Sequence, residues 1–152
     1  MIFFAFRRPD VQKENVHTYL YLKNITEETG ELKRLIRCHR YEQSLLIPGQ
    51  PSPVPKFSNV TLTKSADKFT PTLNLAASTD LKIPSAILYF YCTKAKCVQY
   101  MVTLSDAFIK STRQYLEEGM LCDTFSLGFT KIKWEYHGYS TGWDLSTNQP
   151  LT

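Results

Sequence analysis

The segment 138–142 reads Gly-Tyr-Ser-Thr-Gly, which is the Gly-x-Ser-x-Gly spacing of a serine-hydrolase nucleophile. In such enzymes the serine lies on a sharp strand-to-helix turn, and an acidic residue and then a histidine follow it along the chain. Here only ten residues follow Gly142; Asp144 is among them, but the last histidine is His137. The order that a catalytic triad needs is therefore missing, and we predict a glycine-rich turn at this segment.

Other residues of catalytic type are scattered along the chain. The sequence has no glycine-rich phosphate loop and no His-Glu-x-x-His motif. His17, His39 and His137 lie far apart, and the acidic pairs 27–28 and 117–118 fall in predicted turns, where adjacent charges are normally solvated. A carboxylate pair assembled from distant strands stays open at this point, but the sequence supports no enzyme.

Four cysteines, Cys38, Cys92, Cys97 and Cys122, allow three pairings but are too sparse for a disulfide scaffold. A zinc site competes with free thiols, because His39 follows Cys38. However, four residues separate Cys92 from Cys97, which is wider than a usual zinc knuckle, and there is no second knuckle. We therefore expect ordinary thiols, no bound metal and no cofactor.

Most of the chain is predicted to be β-structure. Strand-forming residues alternate over 18–22 and 59–63, and two runs, 86–92 and 98–104, flank a short turn as a hairpin. The stretch 32–46 is long, but neither of its faces is cleanly apolar, which suggests a twisted or doubly covered strand. Residues 105–119 are ambiguous, because they carry partial helical cues while a strand over the first half competes well.

One short helix is predicted after residue 69. Thr70 suits an N-cap, and Pro71 suits the first turn, where a missing N–H costs nothing. Leu73, Ala76 and Ala77 form an apolar stripe, and the helix is expected to end near Asp80. Many strands with one helix favour an antiparallel barrel or sandwich.

Two alternating runs, 125–129 and 132–136, are out of phase by one residue. A bulge within 128–131 would return both apolar sets to one face. On that reading Trp134 and Tyr136 lie on the buried phase and are core residues.

The segment 47–55 contains four prolines in nine residues. Proline removes backbone donors, so the segment cannot be a helix or an interior strand. It is predicted to be a protruding loop or an extended arm. Long irregular loops in compact domains are often functional, so the arm is a candidate contact surface.

Composition limits the remaining function classes. The 152 residues suit a single domain, 43% of them are apolar, and the net charge is +4. The basic cluster is predicted to be a solvated strand face rather than a phosphate site; it comprises Lys33, Arg34, Arg37, His39 and Arg40. Near the N-terminus, the apolar run is short and its arginines follow it, so export by an ordinary signal peptide is not expected.

Three stretches resemble the Hcp family, the haemolysin-coregulated tube subunits of type VI secretion systems. In 60–73 a threonine-rich strand leads into Asp-Lys and then Thr-Pro. In 125–136 alternating apolar residues end in Lys-Ile-Lys-Trp-Glu-Tyr, and 142–148 reads Gly-Trp-Asp-Leu-Ser-Thr-Asn. These stretches supply the family-motif residues, to which the resemblance assigns structural roles: Asp67, Lys68, Pro71, Lys131, Trp134, Glu135, Tyr136, Gly142, Trp143, Asp144 and Asn148.

The resemblance implies a small antiparallel β-barrel of two sheets with one flanking helix, spanning 18–152 after an N-terminal extension at 1–17. It implies that residues 105–115 form a strand despite their partial helical cues. It also implies a non-enzymatic protein whose hexameric rings stack into an inner tube. Its partners would be further copies of itself, sheath and spike proteins, and effectors in the lumen, with no nucleic acid and no membrane insertion. It would assemble in the bacterial cytoplasm and be secreted without a signal peptide.

The proline-rich arm matches the family's extended loop, which contacts the adjacent ring. The residues assigned to ring stacking are Ile47, Pro48, Gly49, Gln50, Pro53, Val54 and Lys56. Two alternatives stay open: a tail-tube protein of a phage or another contractile injection system, and a small barrel that binds an apolar ligand in a closed cavity.

Overall fold

The computed structural model describes residues 15–27, 30–49 and 54–151. Within these ranges the chain forms one α-helix, α1 (Thr70–Ser78), one 3-10 turn (Leu32–Arg34) and twelve strands. The strands are β1 (Val16–Leu22), β2 (Ile36–Cys38), β3 (Arg40–Glu42), β4 (Leu45–Leu46), β5 (Lys56–Phe57), β6 (Val60–Ser65), β7 (Ile83–Cys92), β8 (Cys97–Glu117), β9 (Met120–Gly128), β10 (Lys131–Tyr136), β11 (Tyr139–Asp144) and β12 (Gln149–Pro150).

Ten strands form one antiparallel, branched sheet. One path runs β12-β11-β10-β8-β7-β1-β2, and a second leaves β8 through β9 and β6 to β3. The remaining strands, β4 and β5, pair only with each other. The prediction of a mainly β fold with one helix is confirmed within the described residues. The pairings do not close the sheet into a barrel, so that part of the prediction is not confirmed.

The branch is made by β8, which changes partner along its length. Residues 100–105 of β8 pair with β10, and residues 108–117 pair with β9. At the changeover Asp106 has a φ of +51° and Thr130 donates its N–H to the Ser105 carbonyl. The two out-of-phase runs are therefore separate strands joined at a corner. The bulge we predicted within 128–131 is wrong, because each run pairs with a different half of β8.

The stretch 36–42 changes its inward face at His39. Ile36 and Cys38 are buried beside β1, whereas Tyr41 packs against the core from β3. Between them the His39 N–H donates to the Thr63 carbonyl of β6. This phase change explains why neither face of the run is apolar throughout.

The core lies between the two branches and under the helix. Leu20, Leu62, Leu88, Leu104 and Phe125 are completely buried in it, and α1 contributes Leu73 and Ala76.

Pro71 lies in the first turn of α1, as predicted, but Phe69 takes the N-cap position in place of Thr70. Among the described residues, α1 is too short to cross a membrane, and no other helix is long and apolar enough to do so.

Candidate functional site and assembly surfaces

The proline-rich arm leaves the body of the protein through a paired base. Leu45 pairs with Phe57 and Leu46 pairs with Lys56, and the Ser58 N–H donates to the Ser44 carbonyl. The Phe57 ring stacks on Trp134, with centroids 6.1 Å apart and planes 21° from parallel, and meets Phe129 edge-on at 6.4 Å. The base is therefore attached to β10.

Beyond this base the arm exposes apolar side chains. Leu46, Ile47 and Val54 are exposed, as are Gly49 and the Lys56 ammonium group, and Pro48 is half-buried. Gln50 and Pro53, also predicted for ring stacking, lie outside the described residues. The structure thus describes five of the seven predicted stacking residues, at or next to the paired base of the arm, and four of the five are exposed.

A second exposed apolar feature is the end of the β8–β9 hairpin, here called the hairpin tip and defined as residues 116–121. Leu116 is 75% exposed, Met120 58% and Leu121 48%. Glu118 and Gly119 form the turn, with φ angles of +49° and +78°, which is the backbone of a type I′ turn. Glu117 and Glu118 give this apolar tip a negative charge.

The arm and the hairpin tip lie at opposite ends of β6. The arm ends at Phe57, three residues before β6 starts at Val60. At the other end of β6, Ser65 pairs with Cys122, and the Ala66 N–H donates to the Leu121 carbonyl. A six-residue strand spans about 17 Å at a rise of about 3.3 Å per residue. The chain therefore presents two different exposed apolar surfaces at opposite ends of this strand.

A buried ion cluster supports the tip end of the sheet. The Lys64 side chain is completely buried, and its Nζ lies 2.8 Å from Asp67 Oδ1 and 3.0 Å from Asp123 Oδ2. Nζ also donates to the Thr70 hydroxyl at 2.9 Å. Asp123 is buried as well, and its Oδ2 has no hydrogen-bond donor among the described residues, so its contact with Lys64 is an ion pair only.

The cluster joins α1 to three strands. Asp67 Oδ1 accepts the Phe69 N–H at the start of the helix, and Asp123 Oδ1 accepts Gln114 Nε2 from β8, both at 2.8 Å. The same Gln114 amide donates to Asn74 of α1 at 3.3 Å. The position of the helix beside the hairpin tip therefore depends on these polar contacts as well as on apolar packing.

Cys38 lies against this cluster. The pKa of its thiol is raised from 9.0 to about 12, mainly because the thiol is buried; Lys64 lowers the pKa, and Asp67 and Asp123 raise it. The thiol therefore stays protonated at neutral pH and is unreactive.

The sequence analysis did not identify Lys64 and Asp123 as a pair. The signal was present, because Lys64 continues the inward phase of Val60 and Leu62, and Asp123 continues that of Phe125 and Leu127. In the sheet the two residues are directly paired. Alternation along each strand shows that both side chains point inward, but it does not give the register between the strands. That register brings the ammonium group and the carboxylate together.

The family-motif residues at 67–71 have divided roles. Asp67 holds Lys64 and the helix start, and Pro71 occupies the first turn of α1. Lys68 is exposed, and its Nζ lies 5.2 Å from the centre of the Phe69 ring.

The motif at 131–136 lies on β10. Trp134 is half-buried against the core, as expected, but Tyr136 is 53% exposed, so its assignment to the core is wrong. Tyr136 pairs with Tyr139 next to the turn, beyond the end of the core. Lys133 and Glu135 form a surface ion pair at 3.0 Å. Lys131 lies opposite Asp144 in the register of β10 and β11.

The motif at 142–148 builds the last turn of the chain. A Cβ on Gly142 would lie 2.6 Å from the Ile132 carbonyl oxygen, so glycine is required there. Asp144 Oδ1 accepts the N–H and the hydroxyl of Ser146, and these hydrogen bonds lower the pKa of that carboxyl. Asn148 has a φ of +55°, and Trp143 packs on the core.

The segment 138–142 forms a hairpin turn and strand rather than a nucleophile elbow. His137 and Gly138 have φ angles of +43° and +89°, and residues 139–144 run back along β10 as β11. Within the described ranges no group of three or more histidine, cysteine or acidic side chains is arranged to hold a metal.

Acidic neighbours accompany the basic cluster of 33–40. Arg34 lies 3.2 Å from Glu31, and Arg40 lies 3.6 Å from Glu42. Arg37 lies over the Tyr19 ring. All five basic residues are exposed, as predicted, but they do not form one strand face, because Lys33 and Arg34 lie in the 3-10 turn and the others lie along β2 and β3.

We compared the sequence with models of known protein families and with curated protein sequences. The sequence model of the family described as "Type VI secretion system effector, Hcp" matches residues 37–136, about two thirds of the chain. No curated protein sequence is significantly similar to the chain.

Several solved structures share the fold. Hcp1 from Salmonella typhimurium superposes with a TM-score of 0.78 at 17% identity, covering 90% of this chain and 99% of that protein. Hcp2 from the same organism gives 0.69 at 22% identity over 88% and 98% of the two chains. Hcp3 from Pseudomonas aeruginosa gives 0.69 at 18% identity over 85% and 97%. At these identities the structural likeness shows the fold alone.

The family match shows more than the fold. It covers the helix, the buried Lys64 cluster, the hairpin tip and all of β10. Hcp proteins are secreted structural components of type VI secretion systems and not a family of enzymes. This chain belongs to the Hcp family of type VI secretion proteins.

Proposed function

We propose that this protein is a tube subunit that closes into hexameric rings, and that these rings stack into the inner tube of a type VI secretion system. The observation that carries the stacking part is the placement of the arm and the hairpin tip at opposite ends of β6. A stack of identical rings joins two different surfaces of the same subunit, head to tail.

The chemistry of the two surfaces is complementary. Both expose apolar side chains, Ile47 and Val54 on the arm and Leu116 and Met120 on the hairpin tip. The arm adds Lys56, and the tip adds Glu117 and Glu118. Prolines restrict the arm before it docks, which lowers the conformational entropy lost on binding.

In this proposal the full stacking set comprises the seven predicted residues: Ile47, Pro48, Gly49, Gln50, Pro53, Val54 and Lys56. Sheath, spike and lumenal effectors are the further partners, and the protein leaves the cell with the tube without a signal peptide. The division into an extension at 1–17 and one domain at 18–152 stays a prediction.

The proposal is tested by removing the arm. Deleting residues 49–55 is expected to leave a folded protein that forms rings but few tubes, because the paired base and its contact with Trp134 remain. Light scattering after size exclusion measures the ring mass, expected near six times the 17.6 kDa of the monomer. Negative-stain microscopy measures tube length.

A matched variant replaces 49–55 with glycine and serine at the same length. If ring stacking depends on the stiffness and the apolar side chains of the arm, the rings of this variant should stack as poorly as those of the deletion. Normal tubes from the deletion would overturn the stacking role. A wild-type protein that runs only near 17.6 kDa would overturn the hexamer.

No specific observation favours the two alternatives, a tail-tube protein of a phage or another contractile injection system and a small barrel that binds an apolar ligand. A groove of about 820 Å³ beside β6 and β9 is open to solvent, and its lining includes the polar side chains of Glu42, Thr61, Thr124 and Ser126. This groove is not the closed cavity that a barrel binding an apolar ligand would need. Sheath, spike and ATPase genes beside this one would separate a secretion tube from a phage tail tube.

A further inference from the structure

Two cysteines lie opposite each other at one end of the sheet. Cys92 is the last residue of β7, Cys97 is the first residue of β8, and the two are paired in the register of these antiparallel strands. The turn between them spans 93–96 and closes with Lys96 at a φ of +54°. Cys92 and Cys97, five positions apart in the sequence, thus lie directly opposite each other in the sheet.

The geometry of such a pair is close to that of a disulfide. Directly opposed residues of antiparallel strands have Cα atoms about 4.5–5.5 Å apart, within the range of about 4.4–6.8 Å found across disulfides. Both side chains project from the same face of the sheet. Their Cβ atoms, normally about 4.5–5.5 Å apart, must approach by at most about 1–2 Å.

The other two cysteines have no such placement. Cys38 pairs with Thr18, and Cys122 pairs with Ser65 and Tyr115. The register therefore selects one of the pairings that the four cysteines allow. All four cysteines of the chain lie in the described ranges and are thiols in this structure.

Access to the pair is asymmetric. Cys97 is partly exposed, whereas Cys92 is 3% exposed, and its sulphur accepts the Ala95 N–H of the turn at 3.5 Å. An external disulfide can therefore reach Cys97 first, while Cys92 is held beside the turn to complete the exchange.

We propose that Cys92 and Cys97 form a reversible cross-strand disulfide when the protein meets a disulfide donor. The Cys97 thiolate attacks a low-molecular-weight disulfide, forming a mixed disulfide and releasing one thiol. The Cys92 thiolate then attacks Cys97 Sγ, forming the cross-strand bond and releasing the second thiol. The two protein thiols lose two electrons and two protons, and the donor gains them as two thiols.

This site goes beyond the proposed tube function; its chemistry does not depend on that function, but the occasion for oxidation rests on the proposed export. A protein that passes from a reducing cytosol to an oxidising exterior meets such donors on the way. The bond would lock the end of the β7–β8 hairpin after export.

The test uses the reduced full-length protein with oxidised glutathione. After oxidation the chain is unfolded and alkylated with N-ethylmaleimide, and labels are located by peptide mass spectrometry. The wild type is expected to lose two of four labels, at Cys92 and Cys97, with the intact mass lowered by two hydrogens and no glutathione attached. Dithiothreitol should restore all four labels.

Single variants separate the two steps. Cys92→Ser should accumulate glutathione on Cys97, and Cys97→Ser should keep Cys92 labelled. Cys122→Ser is the matched control and should still form the bond. Circular dichroism checks that each variant folds, and Cys92→Ala serves if the serine variant does not. A stable glutathione adduct on wild-type Cys97, retention of all four labels, or a bond to another cysteine would overturn the proposal.

Discussion

At the scale of single residues, Lys64 shows how the fold tolerates a buried charge. Taking an ammonium group out of water costs several kcal/mol, and only close partners repay that cost. Lys64 has Asp67 and Asp123 within 3.0 Å and the Thr70 hydroxyl at 2.9 Å. The buried Lys64–Asp123 ion pair therefore adds little net stability, but removing only one of the two residues should be strongly destabilising.

Replacing Lys64 with methionine is expected to lower the free energy of unfolding by about 3–5 kcal/mol, because Asp123 is left buried without a counter-charge. Urea unfolding measures the change. The double variant Lys64→Met/Asp123→Leu should recover much of the loss. Lys68→Met, the same substitution at an exposed lysine four residues away, is the control and should stay within about 0.5 kcal/mol. Equal losses at the two lysines would contradict the role of the cluster.

Gly142→Ala is expected to cost about 1–3 kcal/mol, because the new Cβ would meet the backbone oxygen of Ile132 at 2.6 Å, as well as Leu151. Thermal or urea unfolding measures this change. Gly30→Ala is the matched control: no atom lies within 4 Å of its added Cβ, so stability should be unchanged or raised by less than about 1 kcal/mol. If both substitutions had the same effect, crowding at Gly142 would not be the reason for the glycine.

At the scale of elements, the attachment of the arm explains the tryptophan of the 131–136 motif. Trp134 is half-buried, and its exposed side is covered by the Phe57 ring at the arm's base. A two-residue pairing such as β4–β5 is too short to be stable alone. The aromatic contact therefore holds the base of the arm against β10.

Phe57→Ala should loosen the arm without unfolding the body. We expect the loss of about 0.5–1.5 kcal/mol for the ring pairs, in addition to the area exposed, and a red shift of Trp134 emission. The chain has two tryptophans, so the measurement uses a Trp143→Phe background. Lys56→Ala, at the neighbouring exposed position, should leave the emission unchanged. An unshifted spectrum for Phe57→Ala would show that the ring does not cover Trp134 in solution.

At the scale of the whole molecule, the two ends of β6 give the subunit a polarity. A single exposed patch would favour a closed dimer, whereas two different patches facing opposite ways favour continued head-to-tail addition. The charges follow the same polarity, with Lys56 on the arm and Glu117 and Glu118 on the hairpin tip.

Charge exchange tests this polarity. Lys56→Glu and Glu118→Lys should each shorten tubes seen by negative-stain microscopy, and the double variant should restore their length. One exposed pair contributes only about 0.2–1 kcal/mol, but each proposed junction between rings repeats it six times. The effect should weaken as salt rises, because exposed charges are screened. A double variant no longer than either single variant would show that these charges do not meet.

Local patterns predicted many of the elements correctly. The hairpin of β7 and β8 and the helix with Pro71 in its first turn follow from residues close in sequence. The strand at 105–115 was predicted instead from the resemblance to the Hcp family, against partial helical cues. The proline-rich arm was likewise identifiable, because proline excludes the alternatives. Tyr136 was assigned to the core wrongly, because alternation gives the face of a side chain but not where the core ends.

The sequence by itself determined the alternating strands, the start of the helix, the proline-rich segment and the motifs of the Hcp family, since each depends on residues near one another in the chain. Only the tertiary structure decided that β8 divides its pairing between β10 and β9, that Lys64 faces Asp123, and that Cys92 faces Cys97. The physical reason is that strand partners and register are set by contacts between distant segments. The same contacts separate the arm from the hairpin tip and give the subunit its two ends.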